Sequence, residues 1–488
     1  MYSLLLSGLM AAQAAGSAPD IRYEINVSPA LDALEATVCI QGWAPSRLVS
    51  RLDEARDYLS NVRSGKGDLR AQASGRQIRL SNVSPGDCLH YTVDLAAAVE
   101  AQDENARIIL HQERNVLMSS GVWLWRPARL PADASVVLQF DLPDGMKVSV
   151  PWQPVTGESG MTTFRLDHTP IEWRDLTAFG YFETRDVKVG GATLRMAVLD
   201  AVKPANAADM DSWIREAASA VSSLYGRFPL QQPQVLVVPI GEQSEAVPWA
   251  QVLRGGGAAA HFFVDQNRPL SEFRKDWTAT HELSHMLLPY VGRDDAWLSE
   301  GLASYYQNVL RARAGMVSEE VAWQKLYAGF ERGRRGTRDE SLADVSGNMR
   351  ENGGYMRVYW SGAAIALMAD VELRRRSNGR MSLDIAMSEL AECCLPGDRT
   401  WSAREVFTRL DDITGSNVFV TLYKQNISAR HFPDVTETSD QLGITERGNK
   451  LHLSSKQDAL ARRAAIMSRL ETRIVEQRDT LPAKNGPP

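Results

Sequence analysis

This chain has no broad basic field. Its 54 Lys and Arg stand against 60 Asp and Glu in 488 residues, a net charge of −6. Binding a polyanion requires cations in excess over one face, so no nucleic-acid partner is expected. No apolar run reaches the ~20 residues of a membrane-crossing helix, so no transmembrane span is expected either. Internal repeats and low-complexity tracts are absent, which argues against a solenoid. Cysteine is scarce at four residues. Cys39 and Cys88 lie in a region rich in strand patterns and can pair. Cys393 and Cys394 are adjacent, and a bridge between neighbours is not expected because of its strain. The first residues lack a positive start, yet residues 4–12 are apolar and Ala12-Gln13-Ala14 has a small-x-small pattern. Residues 1–15 therefore read as a signal peptide, and the mature protein as periplasmic or secreted. What remains, 44% hydrophobic and 23% charged, is an ordinary globular composition with length for about three domains.

Histidine is rare as well, eight in all, and two of them organise the reading. His281 and His285 bracket the pentapeptide HELSH. Four residues apart on a helix, both rings leave one face and can reach one metal ion. Glu282 places a carboxylate beside the first ring, where it can act as general base toward a metal-activated water. Fourteen residues separate His285 from Glu300 of WLSEG, the candidate third ligand on a second helix. His, His, Glu and a water form a catalytic zinc set, so one Zn²⁺ per chain is expected. Trp277, Leu283, Met286 and Leu287 supply an apolar stripe for the first helix, and Pro289 stops it.

HELSH followed by WLSEGLASYYQ resembles the gluzincin metallopeptidases, whose third ligand is the Glu of a WLxEG-type helix. YWSGAAIALMADVELRRRSNGRMSLDIAMSEL (359–390) is similar to the glycyl-aminopeptidase family, with a more distant likeness to the aminopeptidase N type. The resemblance implies a thermolysin-like catalytic domain acting on a peptide or protein. It sets Tyr359 on the family's catalytic tyrosine, as oxyanion donor, with Tyr355 as its rival; Ser361 stands where lysine is usual. Aminopeptidases of this clan carry a Gly-rich strand with a Glu that holds the substrate's free amine. Here that stretch reads GGGAAAHFFVD (255–265), with Ala259 or Ala260 at the acidic position. Gly256, Gly257 and Ala258 are expected to meet substrate. A methyl group cannot pair with an ammonium, so an endopeptidase is favoured over an aminopeptidase with atypical N-terminus recognition. A zinc enzyme of another chemistry, a non-catalytic peptide- or glycan-binding protein and a structural zinc site are the rival readings.

The expected architecture is multidomain. An N-terminal all-β, sandwich-like domain covers 20–195, from short alternating strands such as IRYEINV, ATVCIQGW, LHYTVDL and SVVLQFDL. GVWLWRPARLP (121–131) reads as an aromatic core or a substrate contact. A mostly α thermolysin-like domain with a small β-sheet covers 200–445, starting with a helix at 212–228. In it, AAHFFVD is the expected edge strand along the cleft, a place where an extended peptide can add by backbone hydrogen bonds. His261 on that strand is either structural or an extra ligand. FERGRRGTRDES (330–341) reads as a solvated helix end or a substrate-carboxylate clamp. Residues 446–488 hold a helix (455–478) with Leu460, Ala464, Met467 and Ile474 on one face, then a disordered end. Oligomeric state is not legible.

Overall fold

The computed structural model describes residues 20–65, 69–101, 108–112, 114–155, 161–201, 203–448 and 450–468. The expected signal segment, Ile474 and the tail after it lie outside these residues.

Alternation in the first part of the chain becomes sheet. Asp20–Val27 buries every second side chain, and so do its neighbours Ala33–Gln41 and Cys88–Asp94. Among the described residues these join Ser135–Asp141, Leu59–Ser64 and two shorter strands in a seven-stranded sheet. Two four-stranded sheets complete the β-rich half. Cys39 and Cys88 face each other across neighbouring strands and are bridged. The interior between the sheets is aromatic: Trp123 meets Phe140, Trp152 and Phe179 edge-on, with ring centroids 5.9–6.1 Å apart. The two tryptophans of GVWLWRP are fully buried, so that segment is core.

The second unit is built on a five-stranded sheet ordered Glu183–Val189, Ala192–Val198, Gln234–Pro239, Ala259–Val264, Trp249–Leu253. Its first two strands lie at the boundary expected near 195–200 or before it, because the Glu183–Val198 hairpin pairs in parallel with Gln234–Pro239 rather than with the β-rich half. Hairpin alternation alone does not say which sheet a hairpin joins. Ala259–Val264 is an inner strand, not the edge; the chain turns back through Gly255–Gly257, and Trp249–Leu253 takes the edge in antiparallel register. One sheet face packs on helices. On the other face Leu236, Val238 and Phe263 meet Leu117, Leu176, Ala178 and Phe182, which seats the β-rich half on the sheet.

The helix predicted at 212–228 spans Ala207–Ser222 instead. It starts early because the side chain of Asn206 accepts from the backbone of Ala208 and Asp209. Further helices run over Ala296–Arg313, Glu319–Arg335, Tyr355–Ser377, Leu383–Cys394 and Ala403–Thr414. Contrary to expectation, Cys393 and Cys394 are bridged. They close that helix, whose backbone turns extended at Leu395. The last described helix, Gln457–Met467, docks through Ile466 and Met467 and through the Arg313 guanidinium on the Ile466 carbonyl. Leu460, expected on its buried face, is exposed, while Ala459 and Arg463 are buried. The buried face is thus turned from the expected one by roughly one residue.

Candidate active site

HELSH sits on the short helix Thr278–Ser284, and His285 opens a 3₁₀ turn, so the regular helix ends one residue before the second imidazole. Leu283, Met286 and Leu287 are buried as the periodicity requires, but Trp277 is 42% exposed and stands edge-on to His281 at 5.3 Å. It belongs to the cleft, not to the core stripe. The far end of the segment is tied down by neutral and cationic donors. Arg254 reaches the His285 and Leu288 carbonyls (2.8 and 3.2 Å), and the Tyr225 hydroxyl the Leu287 carbonyl (2.7 Å).

Glu300 lies in the first turns of Ala296–Arg313, and Tyr359 near the start of Tyr355–Ser377. Two glycines decide how closely these helices pass. A Cβ on Gly301 would stand 2.3 Å from Gly362, and one on Gly362 would stand 1.8 Å from the Trp297 carbonyl oxygen. Glu300 precedes the first glycine by one residue and Tyr359 precedes the second by three, so this crossing brings carboxylate and phenol together. The segment around Tyr359 is helix.

The result is a tight constellation. One Glu300 oxygen lies 3.2 Å from His281 Nε2 and 3.4 Å from His285 Nε2. The ligand atoms of the three residues all fall within 4.8 Å of one another. His281 Nδ1 faces the Gln307 side-chain oxygen at 2.8 Å, and His285 Nδ1 faces the Ser299 hydroxyl at 3.0 Å. An acceptor at Nδ1 holds the proton there and leaves the Nε2 lone pair for a ligand bond. Two nitrogens and one carboxylate oxygen turned on one point are the donor set of a catalytic zinc, so the residues present fit that ion.

Electrostatics separate the two carboxylates. Burial pushes the Glu282 carboxyl up to about 7; Glu300 raises it further and His281 opposes. Burial also acts upward on Glu300, but the two imidazoles outweigh it and hold Glu300 well below the usual carboxylate range. Tyr359 stacks on His281 (5.8 Å, 4° between planes) and bonds to Glu300. Burial first, then the charges of Glu300 and Glu282, push its phenol far upward, so it is a donor at any ordinary pH. Tyr355 is 40% exposed, one turn away, with its ring 6.4 Å from that of Tyr359.

The expected substrate residues lie elsewhere. Gly256 and Gly257 are pressed against Trp152, Leu166 and Pro151 of the β-rich half, where a Cβ would stand 2.1–2.6 Å from them. With Ala258 they form the turn between strands. The strand edge is Trp249–Leu253, which packs beside the HELSH helix. Its sequence, WAQVL, contains no carboxylate. Gln251 stands opposite His261, and their side chains approach to 3.5 Å. His261 is fully buried, faces Gln234 at 3.2 Å and is pushed down to about 3 by burial and by Arg174. It is a neutral structural histidine, distant in role from the ligand pair. Sequence reasoning passed over Gln307 and Ser299, although Gln307 follows Glu300 by seven residues, two turns along the same helix face.

The fold and this constellation define a class, that of two-part zinc metallopeptidase folds with a β-rich half seated on a thermolysin-like unit. The family model for M61 glycyl aminopeptidases matches residues 289–366, which include Glu300 and Tyr359. An aminopeptidase N family protein from Idiomarina loihiensis has the same fold, with a TM-score of 0.66 at 15% identity over 87% of this chain and 78% of that one. An M1 zinc metallopeptidase from Deinococcus radiodurans gives 0.52 at 17% identity, covering 86% and 94%. Yeast LTA4 hydrolase gives 0.54 at 10%, covering 87% and 70%. No curated protein matches the chain. The likeness to gluzincin peptidases thus stands in both sequence and fold.

Proposed function

We propose that the protein is a zinc-dependent peptide-bond hydrolase with His281, His285 and Glu300 as metal ligands, one ion per chain. The observation that carries this reading is the convergence of the two Nε2 atoms on one Glu300 oxygen. A zinc ion held there supplies Lewis acidity, polarising the scissile carbonyl and acidifying the attacking water. Glu282 takes the water's proton and passes it to the leaving amine, a task suited to a carboxyl whose pKa lies near neutrality. Tyr359, protonated throughout, donates to the developing oxyanion. The outer backbone of Trp249–Leu253 receives the peptide as an added strand.

Internal cleavage is favoured over aminopeptidase action. The edge strand offers Gln251 and no carboxylate, and an amide cannot offset an ammonium's charge. Export to an oxidising compartment accounts for the two bridges, and no helix among the described residues is long and apolar enough to cross a membrane.

Glu282→Gln is expected to keep one zinc per chain while losing about 10²–10⁴ of the rate on unfolded casein. His285→Ala should lose the metal itself. Near-full turnover in the first variant, or stoichiometric zinc in the second by elemental analysis, overturns the assignment.

A further inference from the structure

Most arginines of this chain are spoken for. Arg334 and Arg335 pair with Glu331, and Arg334 also with Glu446; Arg332 lies 4.8 Å over the Trp360 ring. The basic run of 332–335 is therefore structural and no substrate clamp. A different group of arginines, scattered in sequence, is not matched in this way.

Arg174 leads out of the β-rich half. Its carbonyl accepts from the Gly255 amide at 2.8 Å, and a Cβ on Gly255 would stand 2.8 Å from Arg174 and Trp173 backbone atoms. This fixes Arg174 two residues beyond the end of the edge strand. The neighbouring Trp173 packs on Tyr290 with ring centroids 4.5 Å apart. Three residues after Tyr290, Arg293 opens the turn that leads into the Glu300 helix. That turn packs against Leu342–Gly347, and the next short helix, Met349–Asn352, carries Arg350 just before the Tyr359 helix. Three guanidinium groups thus come from a loop of the β-rich half beside the end of the edge strand, from the turn before the Glu300 helix and from the short helix before the Tyr359 helix.

Arg293 and Arg350 are exposed and Arg174 is half-buried. Among the described residues none of the three makes a salt bridge or a side-chain hydrogen bond. Burial first, then the charges of Arg51, Arg293 and Arg350, hold the Arg174 guanidinium below its usual range, and no carboxylate counters them. Asp175, next in the chain, is buried and already accepts from the Ser120 hydroxyl and amide. Glu172, Asp294 and Glu351, acids near these arginines in the chain, are exposed to solvent, and Asp295 already accepts from the Trp297 indole and the Ala403 amide. Like charges gathered at a partly desolvated seam repel one another, and an incoming anion relieves that repulsion.

We propose that Arg174, Arg293 and Arg350 form a cationic rim that binds a carboxylate of the peptide substrate, so that acidic peptides are preferred. The proposal rests on the peptidase reading above and adds a substrate class to it. Arginine suits the task, since its planar fork matches a carboxylate.

The test uses the intact zinc-loaded protein and one peptide framework carrying Ala, Glu or Lys at each position flanking the scissile bond, with free or amidated C-termini. The readout is the ratio of kcat/KM for Glu and Ala peptides within each variant, so that any general loss cancels. Wild-type protein should favour Glu over Ala and Ala over Lys, by up to about fivefold per arginine engaged, the range of solvent-exposed charge pairs. R293Q and R350Q should each lower the Glu preference, with the gain lying in KM. About 1 M salt, where the Debye length is about 3 Å, should bring it toward unity. A preference that survives amidation assigns a side-chain carboxylate, and one confined to free peptides assigns the C-terminus. Equal use of Ala, Glu and Lys peptides overturns the rim alone, since the peptidase reading survives it. Failure to cleave any of them overturns the peptidase reading.

Discussion

The aromatic core of the β-rich half is fully buried and the His–His–Glu centre partly so, and they hold different things in place. Around Trp123 the contacts are apolar rings in edge-on arrangements, each replaceable by something of similar shape. Around Glu300 the contacts are polar atoms at 2.8–3.4 Å, each with a specific partner. Apolar burial is additive and forgiving of direction. Polar burial is directional, and an unmatched group is costly. The first region therefore governs whether the chain folds, and the second governs what the folded chain binds.

Substitutions can break that contrast. Trp123→Ala should cost about 3–5 kcal/mol of stability, measured by denaturant unfolding, and leave zinc stoichiometry intact in the folded fraction. Loss of zinc at unchanged stability would abolish the division of labour. Next in size is the effect of Glu282 on the metal-free protein. Its folded-state pKa of about 7 lies above the ordinary 4.5, so its stabilising contribution is complete below about pH 4.5 and is lost as pH rises through 7. Glu282→Gln should accordingly make chelator-treated protein more stable than wild type at pH 8, by about 3 kcal/mol at most, and no more stable at pH 4. Equal melting curves at pH 8 would sink this account.

Gly362→Ala tests the crossing that unites the regions of the centre. Its methyl group meets the Trp297 carbonyl oxygen, so the helices must part, at a cost of about 1–3 kcal/mol and with weaker zinc retention. Retention equal to wild type would mean that Glu300 does not depend on the crossing. The smallest expected effect is Gln307→Leu, which removes the acceptor from His281 Nδ1. Zinc affinity should fall about 10–100-fold in a competition titration, with the melting curve of the metal-free protein little changed. An unaltered affinity would show that helix packing alone orients the ring.

Much of the centre was legible because its information is local. Four-residue spacing on a helix puts His281 and His285 on one face whatever surrounds them, and WLSEG is a helical segment by the same periodicity. The β-rich half was legible for a similar reason, as alternation of two persists along each strand. The edge strand was not. AAHFFVD and WAQVL both read as strand, and only the sheet's pairing order distinguishes the inner strand from the outer. Trp277 falls on the apolar stripe by spacing yet is exposed, since which part of a face is covered depends on the partner laid against it.

The sequence by itself determined the candidate donor set, the proposed general base beside it and the strand or helix character of most segments, because side-chain type and short-range periodicity are properties of the chain alone. Tertiary structure decided which strand lies at the edge of the sheet, how closely Glu300 and Tyr359 meet through Gly301 and Gly362, and that Arg293 and Arg350 come near Arg174. Each of these joins residues far apart in sequence, and such meetings are set by how whole elements pack.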